Sequence, residues 1–328
     1  MFLLALMGLV GNSVKVMAQT PEPTGQWTFE NTDNLMAPSK GSLTMVPAIV
    51  SNKSVSVATI GESGITAAVG PSEDNGAIKV PRSSALKVVR ANGAAASQSY
   101  TLMMDVMTPD ASPYNSLLQT AEDNGNDGDL FFYSNQIGIN SIGGYFGTIK
   151  NGKWYRVVLS YRDGKNILYV DGKKLVTANP DNNDRFKIQP FGFYLFCDED
   201  GELAENYVSE VAFWETPLTD EQVSELGSAV PPTMMEIATP EDLKAFADAV
   251  ESGADVNGLL TADINLAESD YVDLMIGTEN AKFKGVFDGQ GHTITIYYEG
   301  DCVAQKWRGL FLAVDGATYD ARQDRSCG

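Results

Sequence analysis

The chain has 328 residues, with 43 Asp and Glu against 23 Lys and Arg, a net charge of −20. So acidic a surface repels a phosphate backbone, which excludes nucleic acid as a partner. The length suits about two domains, and the 43% of hydrophobic residues is enough for a sizeable core.

Residues 1–18 read as a secretory signal peptide. Phe2 to Val10 is an apolar core too short to span a bilayer, and Val16-Met17-Ala18 precedes a cleavage expected before Gln19. No cysteine follows that run to carry a lipid anchor, and no later stretch is long and apolar enough for a transmembrane helix. The mature chain is therefore expected to be secreted or held at the cell surface.

Short β-strands alternate with turns rich in Gly, Asn, Asp and Ser. Ala77 to Val80, Ala85 to Val89, Thr101 to Met107, Leu130 to Tyr133 and Gln136 to Ile139 read as strands. Phe186 to Cys197 reads as one or two more. The most informative stretch is Lys153 to Val176. Tyr155, Val157, Leu159 and Tyr161 fall on one face of a strand, and Trp154, Arg156, Val158 and Ser160 on the other. Asp163-Gly164 and Asp171-Gly172 are hairpin signals, and they divide the stretch into three strands. Thr219 and Gln222 form a capping box for a short helix that Gly227 ends.

Several of these segments resemble the laminin-G-like, concanavalin-type lectin domains of secreted bacterial surface proteins. The resemblance is carried by Trp154 opening one strand and by Tyr169-Val170-Asp171-Gly172-Lys173 ending the next. It extends to Gln26-Trp27-Thr28-Phe29, Ser99 to Met107, Val208 to Trp214 and Pro217 to Leu226. It implies a mainly β protein, with an antiparallel jelly-roll sandwich over residues 19–227. Residues 228–235, with Pro231-Pro232, read as a linker.

Residues 236–320 form a second module. Thr239 caps a helix with Pro240 at its first position, and Leu243, Phe246, Ala247 and Val250 form the apolar stripe. Ala262-Asp263-Ile264-Asn265-Leu266, followed by Phe287-Asp288-Gly289-Gln290-Gly291-His292-Thr293-Ile294, resembles bacterial surface β-helix repeats of the GLUG type. A short helix-and-β module like the start of a right-handed β-helix is expected, with a polar tail over 321–328. Solenoids bury their faces by stacking repeats, so two coils alone should be marginally stable.

Candidate chemistry is sparse. His292 is the one histidine, so no catalytic triad can draw its imidazole from elsewhere; its place between a turn and a strand suits a coil-corner role. The three cysteines, Cys197, Cys302 and Cys327, fit no zinc spacing, and Cys197 lies in an apolar run expected to be buried. Concanavalin-type glucanases carry a Glu-x-Asp-x-Glu or Glu-x-Asp-x-x-Glu strand that this chain lacks; Glu268 to Asp273 comes nearest and ends in Asp. Calcium is the one cofactor left open, with Asp123, Asn126, Asp127 and Asp129 as candidate ligands and Asp198 to Glu202 as a second acidic loop. Neither loop has EF-hand spacing. Candidate ligand-binding aromatics are Tyr145, Trp154 and Tyr161, together with Tyr114 and Phe146. The function expected is non-catalytic binding or adhesion to a glycan or a surface protein. The alternatives are a structural segment of a larger surface protein and a glycan-processing hydrolase.

Overall fold

The computed structural model describes residues 19–51, 53–72, 74–121, 128–179, 185–198, 200–267, 274–298 and 310–327. The chain divides into two compact units, Met1–Val230 and Pro231–Gly328.

The first unit is a sandwich of two antiparallel sheets. Among the described residues one sheet runs Lys173–Ala178, Lys165–Val170, Trp154–Arg162, Tyr100–Met107, Asn206–Trp214, Gly25–Trp27 and Lys40–Gly41, and Gly76–Val80 and Thr66–Val69 extend it beside Asn206–Trp214. The second runs Gly144–Phe146, Gln136–Ile139, Leu130–Tyr133, Asn115–Gln119, Gly192–Leu195, Ser84–Val89, Thr44–Ser51 and Ser54–Val57. Side chains from both inner faces form one core, with Trp27, Tyr100, Phe132, Phe193 and Phe213 among its largest buried members. This is the aligned two-layer packing of β-sandwiches.

The Trp154–Arg162 strand follows the alternation in its sequence. Tyr155, Val157, Leu159 and Tyr161 enter the central core, while Val158 joins a smaller cluster on the outer face with Met103, Ile167, Tyr169, Ala212 and Trp214. Both hairpin turns are two residues long with positive φ throughout, at Asp163 (52°) and Gly164 (70°), then Asp171 (49°) and Gly172 (70°). That geometry matches the right-handed twist of the strands it joins.

A four-residue helix, α1 (Ile60–Ser63), and a seven-residue helix, α2 (Asp220–Leu226), both begin with complete capping boxes, from Thr59 and Thr219. Leu218 and Val223 lie over the outer cluster. Arg162 donates to the Leu218 carbonyl and to Asp220, and Tyr169 Oη donates to Asp220 Oδ1 at 2.6 Å. Burial opposes ionisation of Asp220. The hydrogen bonds from Lys174, Tyr169 and Arg162 outweigh it and hold the carboxyl well below its usual range. These contacts fasten α2 to the sheet.

Phe186 to Cys197 is less regular than its composition suggests, since only Gly192–Leu195 is strand. Cys197 is fully buried beside Ala48, Ala85 and Tyr194, as its apolar run implies.

In the second unit, helix α3 (Pro240–Glu251) connects strands Thr233–Ile237 and Val256–Leu260, which pair in parallel. A parallel pair needs such a crossover. Leu243, Phe246, Ala247 and Val250 are all buried, as their spacing predicts. Phe246 meets Phe283 and Phe287 edge-on, with centroids 5.5 and 5.4 Å away. Ile264–Leu266 and Val256–Leu260 both pair in parallel with the long strand Val286–Tyr298.

Two boundaries differ from expectation. The stretch read as linker already contains strand from Thr233, because a backbone ladder to Val256–Leu260 pairs it whatever its side chains. The polar stretch after residue 320 lies within strand Thr318–Cys327, paired in parallel with Val286–Tyr298. Ladder hydrogen bonds come from the backbone, so polarity alone does not signal a tail. His292 stands at the bend of the long strand, Nδ1 3.4 Å from Asp263 Oδ1, the same atom that accepts the Thr293 N–H at 2.8 Å.

Candidate functional site

The outward face of the second sheet carries an aromatic corner, and strand register explains it. Asn115 Nδ2 donates to Asn206 Oδ1 in the opposite sheet at 2.8 Å, so Asn115 points into the sandwich. Its cross-strand partner Phe132 points inward with it. Phe131 and Tyr133 therefore point outward, by the two-residue period of a strand. Phe131 pairs with Gly138 and Gly138 with Tyr145, which brings Tyr145 to the same face. Gly138 has φ +153°, and a Cβ there would come within 2.2 Å of the Gly144 carbonyl oxygen, so only glycine allows this close pairing.

Tyr114, just before the Asn115–Gln119 strand, stacks flat on Tyr133 with centroids 3.7 Å apart and planes 5° from parallel. Tyr145 is inclined to both, 5.3 Å and 59° from Tyr133, 6.4 Å and 63° from Tyr114. Phe131 lies edge-on to Tyr114 at 6.0 Å. Tyr114 is 37% exposed, while Tyr133 and Tyr145 are half-buried. The Tyr114 phenol is pushed above its usual pKa, first by desolvation, then by its contact with Tyr133 and by the charge of Glu202.

Of the aromatics expected to bind ligand, the structure thus brings together Tyr145 and Tyr114, and adds Tyr133. The other candidates lie elsewhere. Tyr161 is 3% exposed in the core, edge-on to Tyr100, with its hydroxyl accepting from Gln98 Nε2 at 3.1 Å. It offers no open ring face, because its side of the strand is the inward one. Trp154 is half-buried in the other sheet, opposite Met107. Phe146, paired with the buried Ile137, lies on the opposite face of its strand from Tyr145.

The acidic residues also separate. Asp123, Asn126 and Asp127 lie outside the described residues. Asp129 is a brace rather than a rim ligand. Its Oδ2 accepts from the Thr120 N–H and Oγ1, both at 2.8 Å, and its Oδ1 from the Phe186 N–H at 3.1 Å. Burial raises its pKa against the pull of those hydrogen bonds. Asp129→Ala would strand three donors in the interior. It is expected to lower stability by about 3 kcal/mol, read as an earlier midpoint in chemical denaturation. A midpoint unchanged from wild type would remove the bracing role.

Asp198 organises the second acidic loop. Its Oδ1 accepts from the Gly128 N–H at 3.2 Å, and its Oδ2 from the N–H groups of Asp200 (3.3 Å) and Glu202 (3.2 Å). Carboxylate oxygens of Asp198, Asp200 and Glu202 lie within 4.8 Å of one another, so the trio could hold a metal ion. The Ser116 N–H donates to the Glu202 carbonyl at 2.8 Å, which ties this loop to the strand that follows Tyr114.

Two carboxylates from distant strands also meet on the other sheet. Arg156 Nε and Nη2 bind Asp105 at 2.8 and 2.7 Å, and Nη2 reaches Glu210 Oε2 at 3.0 Å. Arg156 Nη1 donates to the Leu226 carbonyl at the end of α2. Burial raises the pKa of both Asp105 and Glu210, although Arg156 opposes it. One guanidinium thus joins the two acids and anchors the helix. Among the described residues no helix is long and apolar enough to cross a membrane.

No family model matches the sequence, and no curated protein matches it. Among solved structures, domain 4 of AbnA, a GH43 extracellular arabinanase from Geobacillus stearothermophilus in complex with arabinotriose, is 17% identical with a TM-score of 0.44, covering 63% of this chain and 98% of its own. The binding domain of botulinum neurotoxin serotype G is 12% identical at a TM-score of 0.43, covering 62% of this chain and 50% of its own. Trypanosoma rangeli sialidase is 16% identical at a TM-score of 0.41, covering 62% of this chain and 32% of its own. The chain spans only half of the toxin domain and a third of the sialidase. At these scores the likeness is distant, and no ligand follows from it. What the chain's own pairing defines is a mainly β protein whose first unit is an antiparallel sandwich with an aromatic corner on one outer face.

Proposed function

We propose that the chain is an exported, non-catalytic binding module of laminin-G-like type that takes a glycan on the Tyr114–Tyr133–Tyr145 corner. The observation that carries this is the flat stack of Tyr114 on Tyr133, with Tyr145 set across it and Tyr114 open to solvent. Tyrosine offers a broad apolar ring with a polar tip, and it loses little conformational freedom on binding. The apolar face of a sugar ring can lie on such a surface while its hydroxyls reach the phenols and the acidic loop. The signal-like residues 1–18 support a location outside the cytoplasm, either secreted or at the cell surface.

Calcium would enter at Asp198, Asp200 and Glu202, where oxygen donors suit it. The reading does not require it, because the Asp198 carboxylate already accepts three backbone N–H groups. The full chain is expected to keep its melting temperature when calcium replaces chelator. A calcium-dependent rise, by mass action on the folded state, would instead assign the ion to the trio.

A glycan array probed with the full chain tests the main reading, followed by titration of any ligand found. Saturable binding that is lost on substituting the corner tyrosines is the expected result. Silence across the array would overturn it.

A further inference from the structure

The corner has an electrostatic side that an uncharged sugar would not use. Aromatic faces carry the negative end of the ring quadrupole and attract cations. The charge of Glu202 reaches the exposed ring of Tyr114, where it adds to the causes that raise the pKa of that phenol. Its placement is fixed by the backbone, since the Ser116 N–H donates to its carbonyl at 2.8 Å. Asp198 and Asp200 bring their carboxylates within 4.8 Å of that of Glu202. At the edges of these loops Arg185 donates to the Gly128 carbonyl (2.8 Å) and Arg82 to the Gly201 carbonyl (3.3 Å). A protonated amine held over Tyr114 would meet both a ring face and a carboxylate. A uronic or sialic carboxylate would meet repulsion, from the loop and from a chain of net charge −20.

We infer that the tyrosine corner selects a glycan bearing free, protonated amines, an amino-sugar polymer, over uncharged and carboxylated glycans. This rests on the glycan reading above and gives it a substrate class. The ammonium group stacks against Tyr114 and is hydrogen-bonded by Glu202, and the rest of the sugar ring lies along Tyr133 and Tyr145. Nothing covalent is involved, so the selectivity is a difference of affinities.

The test uses the full chain in mildly acidic, low-salt buffer with chelator present. Isothermal titration compares a chitosan oligomer with its fully N-acetylated counterpart, with an oligogalacturonate and with an oligolysine peptide. The free-amine oligomer is expected to bind about five- to tenfold more tightly than the N-acetylated one, the scale of one solvent-exposed charge pair together with a cation–π contact. That preference should shrink as salt is raised. In Glu202→Gln, which keeps the backbone contact to Ser116, the ratio of the two affinities should fall towards one, with a wild-type melting temperature certifying the fold. Equal binding of the two chitosan forms overturns the inference and leaves the glycan reading standing. So does equally tight oligogalacturonate, or a preference that survives in Glu202→Gln. Oligolysine binding as tightly as chitosan would show that charge alone is recognised, which also overturns it. Failure of every glycan on the array and in titration removes both.

Discussion

Tyr114→Ala is expected to weaken glycan binding by about 30-fold or more, the loss of a central aromatic anchor worth about 2–4 kcal/mol. Tyr114 is the most exposed ring of the corner, and its stack with Tyr133 presents one flat surface. Removing it takes away the platform and uncovers the edge of Phe131 beneath. The melting temperature should change little, because Tyr114 precedes its strand and is 37% exposed. Tyr133→Phe keeps the ring and loses only the hydroxyl, so its effect should be several-fold smaller. Titration of both variants against the ligand found on the array decides the matter. Equal affinity for Tyr114→Ala and wild type would place the binding surface elsewhere.

The other large effect is on stability. Arg156→Met leaves Asp105 and Glu210 facing each other under α2 without their shared cation, and it releases the Leu226 carbonyl. Breaking a buried ion pair from one side costs about 3–5 kcal/mol, which for a unit of this size lowers the melting temperature by roughly 10 °C. The penalty should depend on pH with a definite sign. Burial holds both carboxyls above their ordinary pKa values in the folded state. Their contribution to stability is therefore fully present below the ordinary carboxylate range, and it is lost as pH rises through the raised values. In Arg156→Met, with the compensating charge gone, the penalty should be largest at neutral pH. It should shrink as the two acids protonate. Asp220, held low, acts in the opposite sense, losing its contribution only in strong acid. Thermal melts of wild type and variant across mildly acidic to neutral pH read the difference. A penalty that stays constant over that range would mean the two acids are not titrating beneath the helix.

How much of this was legible in the sequence depended on how far apart the interacting groups lie along the chain. The helix caps at Thr219 and Thr239 and the turns at Asp163-Gly164 and Asp171-Gly172 involve residues only a few positions apart, and each appears where its local chemistry predicts. The faces of Trp154–Arg162 and the buried stripe of α3 follow from period alone. Thr44–Ser51, by contrast, carries Pro47 inside a strand, a residue that normally argues against one. Asn115–Gln119 is almost wholly buried, polar residues included, so it shows no alternation. The corner itself was half legible. Tyr114 and Tyr145 are plausible platform residues by type, but Tyr133 carries no signal of its own. It meets them because the Ser134-Asn135 turn, with φ of 52° and 60°, sets the register that aligns Phe131, Gly138 and Tyr145.

Composition, charge and short-range pattern thus determined by themselves that this is an acidic, mainly β protein, with its hairpins and helix caps in place. Only the tertiary structure decided that Tyr161 is core and Tyr114 is open. The same holds for Asp129, which braces Thr120 and Phe186, while Asp198 gathers Asp200 and Glu202. It likewise decided that one arginine joins Asp105 to Glu210. The reason is physical. Propensity and capping act over one or two turns of chain, whereas burial, register and charge partners are set by residues far apart in sequence, 91 positions between Asn115 and Asn206 and 184 between Gln26 and Glu210, and appear only once the sheets have closed on each other.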